Sequence, residues 1–283
     1  MNNNSNEQIN QGKIKPDIKA VFFDVDGTLV SFKTNRIPSS TKRALEALRN
    51  KGIKVIVATG RSIQALEVLK ELSFDGFICF NGGLCATTDG EILHKQPMHA
   101  EDIKALVDYQ KKYNMNFALM YHDGVFVHTI TDMVKQMHDH INLPLPPLLN
   151  PENVDFGNVL QANVFMNPEE EVLFMENVMP NCVASRWTPL FADVNAGGLN
   201  KYVGIEIFCK HFNIQPSQTM AFGDGGNDIA MLTHTAIGVA MGDANTGVKA
   251  IADYTTADVD DDGIWKALVH FGVLEDLADF IPQ

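Results

Sequence analysis

The sequence predicts an α/β protein: a doubly wound, mainly parallel (Rossmann-like) core sheet into which a smaller α/β domain is inserted. Three observations carry that expectation. From Ala20 onward, short apolar runs alternate with amphipathic stretches, the rhythm of parallel strands joined by crossover helices. The rhythm breaks after Gly83 into a hairpin-like pattern and resumes at Lys201. Three of the apolar runs end in turns rich in Asp, Gly or Thr, and open parallel sheets bind ligands beyond the carboxyl ends of their strands.

Residues 1–18 are polar and Asn/Gln-rich and read as a disordered tail; with no apolar h-region they suit neither a secretory signal nor a transit peptide. Ala20 to Phe23 is the first strand. Ser39, Ser40 and Thr41 supply helix-start chemistry, Thr41, Ala44, Leu45 and Leu48 fall at i, i+3, i+4, i+7, and Gly52 closes the helix. Ile53 to Ala58 is a second strand. Beyond Gly60 a further helix is expected with Ala65, Leu69 and Leu72 on one face, and Phe77 to Phe80 forms a third strand that ends at Asn81-Gly82-Gly83.

Next, Asn116 to Tyr121 and Val125 to Ile130 flank His122-Asp123-Gly124, a β-hairpin about an Asp-Gly turn. Leu143 to Pro151 carries four of the twelve prolines and reads as an irregular loop. A strand near Asn163 to Met166, a helix from Pro168 to Val178 and a strand near Ala184 to Trp187 follow. Residues 84–194 are therefore expected as the inserted domain, with 19–83 and 195–283 as two halves of one core. From Lys201 a helix with Ile205, Phe208 and Phe212 on one face leads to a strand at Thr219 to Phe222. Gly-Asp-Gly-Gly-Asn-Asp, a short helix and an apolar run at Ala236 to Met241 complete the parallel rhythm.

Composition narrows the partners. The 283 residues carry 22 basic against 35 acidic side chains, a formal net charge of −13, so the clustered Lys and Arg of a nucleic-acid surface are missing. No run approaches the ~18 to 20 apolar residues of a membrane span. Cys79, Cys85, Cys182 and Cys209 form no CxxC pair and read as buried thiols in a reducing, cytoplasmic setting. A small anionic substrate stays compatible with the charge if a bound cation and a few fixed donors reverse the field locally.

Four strand-end or helix-start positions carry chemistry. Asp24-Val25-Asp26-Gly27-Thr28 puts two carboxylates two positions apart at the end of the first strand, so that they project together. Two acids held close either bind a cation or have their pKa values pushed apart, which suits one nucleophile and one acid/base; a solvated Asx-rich turn is the bland alternative. Thr59-Gly60-Arg61 opens the next helix, where a hydroxyl and free backbone N–H groups meet a phosphate, or where Thr59 is only an N-cap. Arg61 reaches a substrate, the inserted domain or a nearby carboxylate. In Gly223-Asp224-Gly225-Gly226-Asn227-Asp228 the acids concentrate negative charge that fits a hard divalent cation such as Mg²⁺. Lys201, at the start of its helix, is the candidate cation between those acids and a phosphoryl group.

Together the DxDGT, TGR, early-helix Lys and GDGGND elements, in this order, resemble the haloacid dehalogenase superfamily of phosphohydrolases. The long insertion is similar to the large α/β cap of its Cof-type subfamily, whose members are typically Mg²⁺-dependent phosphatases of sugar phosphates and other small phosphomonoesters. The resemblance implies that Asp24 attacks phosphorus and becomes an aspartyl-phosphate, and that Asp26 protonates the leaving oxygen and then activates water. It implies that Thr59, Gly60, Arg61, Lys201 and Asn227 hold the phosphorylated substrate. Asp24, the backbone carbonyl of Asp26 and Asp224 would bind Mg²⁺, supported by Asn227 and Asp228. The expected partner is a small phosphorylated metabolite, hexose phosphates foremost; no oligomeric state is implied.

Other readings share parts of this pattern. Phosphomutases have a related core and cap. A signalling receiver also carries an Asp, a Thr and a Lys on a doubly wound sheet, but Asp26 and the long insertion set this sequence apart. A silent sugar-phosphate binder would not need every chemical position filled. Trp187, Phe191 and Tyr121 read as core aromatics with a pocket role as the alternative, and His138-Asp139-His140 as surface.

Overall fold

The computed structural model describes residues 16–140 and 143–276. In chain order the first half contains β1 (Ala20–Phe23), α1 (Ser39–Asn50), β2 (Lys54–Ala58), β3 (Gly76–Cys79), β4 (Leu84–Thr87) and β5 (Ile92–Lys95). Then come α2 (Ala100–Tyr113), β6 (Asn116–Tyr121), β7 (Gly124–Val127), α3 (Asp132–His140), β8 (Gln161–Phe165), α4 (Pro168–Val178), β9 (Cys182–Thr188) and β10 (Phe191–Ala196). The chain closes with α5 (Lys201–Phe212), β11 (Thr219–Gly223), α6 (Ile229–His234), β12 (Ile237–Ala240), α7 (Thr246–Ile251), β13 (Tyr254–Thr255) and α8 (Gly263–His270).

Two sheets result. An eight-stranded sheet runs β13-β12-β11-β1-β2-β3-β4-β5, parallel from β13 to β3 and antiparallel at its β4–β5 edge. A separate antiparallel sheet runs β7-β6-β8-β10-β9. Because β1 sits between β2 and β11, the loops after these three strands open side by side. That adjacency brings DxDGT, TGR and GDGGND together.

Strand alternation builds the first core. Val21 and Phe23 of β1 join one apolar layer with α1 and α8, while Ala20 and Phe22 join the opposite layer with α5 and α6. Both faces are covered, so β1 reads as a continuous apolar run with all four residues buried. Phe23 stacks on Phe222 with ring centroids 5.1 Å apart. Helix α5 lies close against β3 because position 204 is glycine: a Cβ there would fall 2.4 Å from Ile78 Cγ2. Helix propensity alone favours Ala by about 1 kcal/mol, but overpacking costs about 1–3 kcal/mol. Gly204→Ala is therefore expected to lower stability by up to a net ~2 kcal/mol, read as a lower urea midpoint with unchanged m-value.

The second sheet has one apolar and one polar face. Ala162, Val164, Ala192 and Val194 pack with Ile103 and Leu106 of α2 and Phe174 of α4. The other side of β8 and β10 presents Gln161, Asn163, Asp193 and Asn195, all buried, toward the first sheet. Among the described residues no helix is long and apolar enough to cross a membrane.

Several expectations change. The insertion was placed from residue 84, yet β4 and β5 pair with the core sheet, extending it by a hairpin; the second sheet begins at β6. The helix expected after Gly60 is a kinked 3₁₀ segment, Ile63–Leu69, with Leu66 and Leu69 buried. There the Arg61 guanidinium takes the Ala65 carbonyl at 2.9 Å, drawing it out of a regular ladder. Of the expected tail, residues 1–15 lie outside the described residues, whereas Ile18 is buried in the core. Cys79, Cys85 and Cys209 are buried and Cys182 half-buried, all as free thiols.

Candidate active site

Asp24 follows β1, its N–H donating to the Phe222 carbonyl at 3.0 Å, which carries the parallel pairing one residue past the strand. Its carboxylate is buried. Lys201, at the first turn of α5, is fully buried, and its Nζ donates to Asp24 Oδ1 at 2.6 Å and to Asp228 Oδ1 at 2.5 Å. The side chain of Asn200 caps α5 by accepting from the N–H of Tyr202 and Val203, which fixes where Lys201 begins. Asp228 is held in turn by the N–H groups of Asp224 and Gly225, both donating to Oδ2 at 2.9 Å.

Asp224 faces DxDGT: Thr28 Oγ1 donates to Asp224 Oδ1 at 2.9 Å. The approach is so tight that a Cβ on Gly27 would lie 2.5 Å from Asp224 Oδ2, and Gly27 also has φ +79°, a conformation that side chains disfavour. Asp24, Asp224 and Asp228 each offer a carboxylate oxygen, and these lie within 4.8 Å of one another. Three carboxylates face one ammonium. Burial, then the charge of Asp228, raises the Asp24 carboxyl to about 7 against the pull of Lys201. Burial and the charges of Asp24 and Asp228 likewise raise Asp224 well above the carboxylate range. Burial pulls the Lys201 ammonium down, but Asp228 and Asp24 outweigh it and keep it protonated. A hard divalent cation fits this oxygen-only donor set, because it relieves the excess negative charge that these shifts express.

Asp26 points elsewhere. Arg61 grips it with both arms of its fork, Nε to Oδ2 at 2.8 Å and Nη2 to Oδ1 at 2.7 Å. Of the alternatives open for Arg61, the structure shows the carboxylate pairing. Thr59 is buried and its Oγ1 accepts from the Arg61 N–H at 3.1 Å, so the hydroxyl stabilises the turn as a cap does. The Gly60 carbonyl accepts from Gln161 Nε2 at 3.1 Å. Asn227 donates to Asn81 Oδ1 at 3.0 Å.

These groups border a cavity of about 420 Å³, whose wall includes Asp24, Asp26, Thr59, Arg61, Asp224 and Asn227. Lys201 does not reach that wall: its ammonium sits between Asp24 and Asp228. It therefore lies among the acids it was expected to neutralise, gripping Asp24 Oδ1 at 2.6 Å. The opposite wall comes from the second sheet and α3, including Met120, Met137, His138, Gln161, Asn163 and Asp193.

That wall was missed in the sequence. His138, expected at the surface, is only 6% exposed. Phe191 is both core and cavity lining, Tyr121 is half-buried, and the Trp187 side chain lies outside the described residues. The signal for the strands was present: Gln161 and Asn163, and Asp193 and Asn195, are polar at a spacing of two within otherwise apolar runs.

Asp193 is a buried carboxylate outside the cluster of acids. Burial raises it to about 7, opposed by hydrogen bonds from Asn81 and Asn163. An acid whose folded pKa exceeds its unfolded value near 3.9 favours folding fully below that value and loses this contribution as pH rises to the folded pKa. Metal-free protein is thus expected to lose stability between pH ~4 and ~7 in part through Asp193. Asp193→Asn should flatten that slope in thermal unfolding across the same range; an unchanged slope would remove Asp193 as its source.

Residues 21–268 match the haloacid dehalogenase-like hydrolase family. The chain belongs to that family, with the architecture of its subclass IIB: a mainly parallel core sheet and a separate antiparallel cap sheet. It is a phosphoric monoester hydrolase of that family. Among similar proteins is YkrA of Bacillus subtilis, named as a candidate phosphatase, 32% identical across 92% of this chain and 100% of its own length. The 5-amino-6-(5-phospho-D-ribitylamino)uracil phosphatase YcsE of Bacillus subtilis is 29% identical, covering 90% of this chain and 96% of its own. Among solved structures, the subclass IIB sugar phosphatase BT4131 superposes with a TM-score of 0.85 and 43% identity, covering 90% of this chain and 100% of that one.

Proposed function

We propose that this chain hydrolyses small phosphomonoesters, sugar phosphates foremost, with Mg²⁺ and through a phosphorylated Asp24. The observation that carries the reading is the Lys201 bridge between Asp24 and Asp228, set beside Asp224 at the edge of the cavity. Lys201 occupies Asp24 Oδ1, which leaves Oδ2 as the oxygen that attacks. Asp24 and Asp224 would hold the cation with the backbone carbonyl of Asp26, while Asp228 anchors the loop. When bound, Mg²⁺ offsets the repulsion between carboxylate and phosphate.

In the first step the Asp24 oxygen bonds to phosphorus, the ester P–O bond breaks, and the leaving oxygen takes a proton from Asp26. In the second, water adds to phosphorus as Asp26 accepts its proton, and the Asp24–phosphorus bond breaks to release inorganic phosphate. Arg61 holds both oxygens of Asp26. A carboxylate gripped at both oxygens serves as the base, so the acid step requires one of those bonds to open. Thr59, the Gly60 turn and Asn227 would bind the equatorial oxygens and the ester, a reading supported by their bordering the same cavity as Asp24; phosphoryl transfer chiefly requires such positioning.

The test is inorganic phosphate release from a panel of sugar, nucleotide and cofactor phosphates, with Mg²⁺ and then with EDTA. Release that collapses with EDTA and returns with Mg²⁺ is expected, with sugar phosphates preferred. Mg²⁺ at ~100 times its Kd is also expected to stabilise the fold by about 2.7 kcal/mol, seen as a raised thermal midpoint. Metal-independent release, or an isomeric sugar phosphate without free phosphate, would contradict the reading.

A further inference from the structure

The cap wall of the cavity holds polar groups whose bonding is incomplete. Asn163 Nδ2 donates to Asp193 Oδ1 at 2.5 Å, and Gln161 Nε2 donates to the same oxygen at 3.1 Å. Asp193 Oδ1 accepts from both amides, so the Asn163 nitrogen faces Asp193 and its oxygen turns away. That oxygen is buried and has no hydrogen-bond partner, and Asn163 is 1% exposed on the cavity wall. On α3, His138 borders the same cavity, is 6% exposed, and neither ring nitrogen has a partner in good hydrogen-bond geometry, the Pro144 and Leu143 backbone offering only weak contacts. Burial lowers its pKa against the nearby Pro144 and Leu143 carbonyls, so the ring is neutral near pH 7 and offers one donor and one acceptor.

Buried polar atoms without partners are unfavourable, and they are satisfied where a ligand supplies the missing bond. Asn163 Oδ1 needs a donor. A neutral imidazole exchanges bonds equally well with a hydroxyl. A second phosphate does not suit this wall, because Asp24, Asp26, Asp193, Asp224 and Asp243 already line the cavity. The apolar Met137 and Leu143 beside His138 suit the carbon face of a ring or chain between hydroxyls.

We infer that Asn163 and His138 are specificity-determining residues, each reading a hydroxyl of a neutral polyol leaving group, with Asp193 and Gln161 orienting Asn163. The inference rests on the phosphatase reading above and names the end of the ester that the cap recognises.

The experiment compares kcat/KM for a hexose 6-phosphate, its single-deoxy analogues and methyl phosphate in the presence of Mg²⁺, for the wild-type chain, Asn163→Ala and His138→Phe. In the wild type, removal of at least one hydroxyl is expected to lower kcat/KM tenfold or more, by roughly the weight of a lost polar contact in a site built for it. In each variant the ratio of hexose 6-phosphate to methyl phosphate is expected to fall about tenfold, chiefly through KM, and the penalty for one deoxy analogue to disappear. Ratios within twofold of wild type in folded variants would overturn the inference. So would a wild-type deoxy series without any penalty, which decides the matter even if a variant does not fold. Failure of the wild type to release phosphate from both hexose 6-phosphate and methyl phosphate would instead refute the phosphatase reading, and this inference with it.

Discussion

Asp24→Asn is expected to lower kcat on every phosphomonoester by more than about 10⁴-fold while the fold survives, because an amide oxygen does not form the acyl-phosphate bond. The effect should fall on kcat with both good and poor leaving groups, since the nucleophile serves the step common to all. Stability should move little or improve. In the metal-free protein Asp24 is a buried acid whose ionisation is opposed by burial and by Asp228, so an uncharged amide of the same shape removes a repulsion. Lys201 keeps Asp228 as a partner at 2.5 Å. Circular dichroism and thermal unfolding without metal check the fold, and phosphate release checks activity. Substantial turnover by the folded variant would exclude Asp24 as the nucleophile.

Lys201→Met carries the largest expected stability effect. It leaves Asp24 and Asp228 buried without their cation, and breaking a buried pair from one side costs about 3–5 kcal/mol. For a chain of this size that corresponds to a fall in Tm of roughly 10 °C. A double variant, Asp24→Asn with Lys201→Met, should recover part of the loss because one of the stranded carboxylates is gone. Activity is expected to fall in Lys201→Met because Asp24 loses the bond that fixes its carboxylate at Oδ1. A Tm within a degree or two of wild type would mean that the two acids are satisfied without Lys201.

The parallel core was legible because its rules are local. Strand β1 is buried on both faces and leads into Asp24, β2 leads into Thr59, and β11 leads into the glycine turn that holds Asp224 and Asp228. The parallel pairing of β1 with both β2 and β11 then sets those three ends side by side. Asp24, Asp224 and Lys201 converge through that topology, and their residue types already announced anion and cation chemistry.

What was not legible depends on partners far along the chain. The β4–β5 hairpin looks like any antiparallel pair, and only its pairing with β3 assigns it to the core sheet. Arg61 had several acceptable partners in sequence, and the close return of Asp26 selected one. His138 falls at i+4 from buried Val134 and next to buried Met137, on the face of α3 opposite exposed Lys135, Gln136 and Asp139; what the sequence does not show is that this face lies over the cavity. That a helix-start lysine would be wholly buried between Asp24 and Asp228 was not legible from its position alone, since a lysine chosen so is usually solvated; only the convergence of the two acids accounts for it.

Trapping the covalent state tests the account most directly. A single turnover with hexose phosphate labelled in the phosphoryl group, quenched in acid and mapped by peptide, should place the label on Asp24 and show none when EDTA replaces Mg²⁺. Label on a different residue, or a complete turnover in which no protein-bound phosphate ever forms, would contradict it.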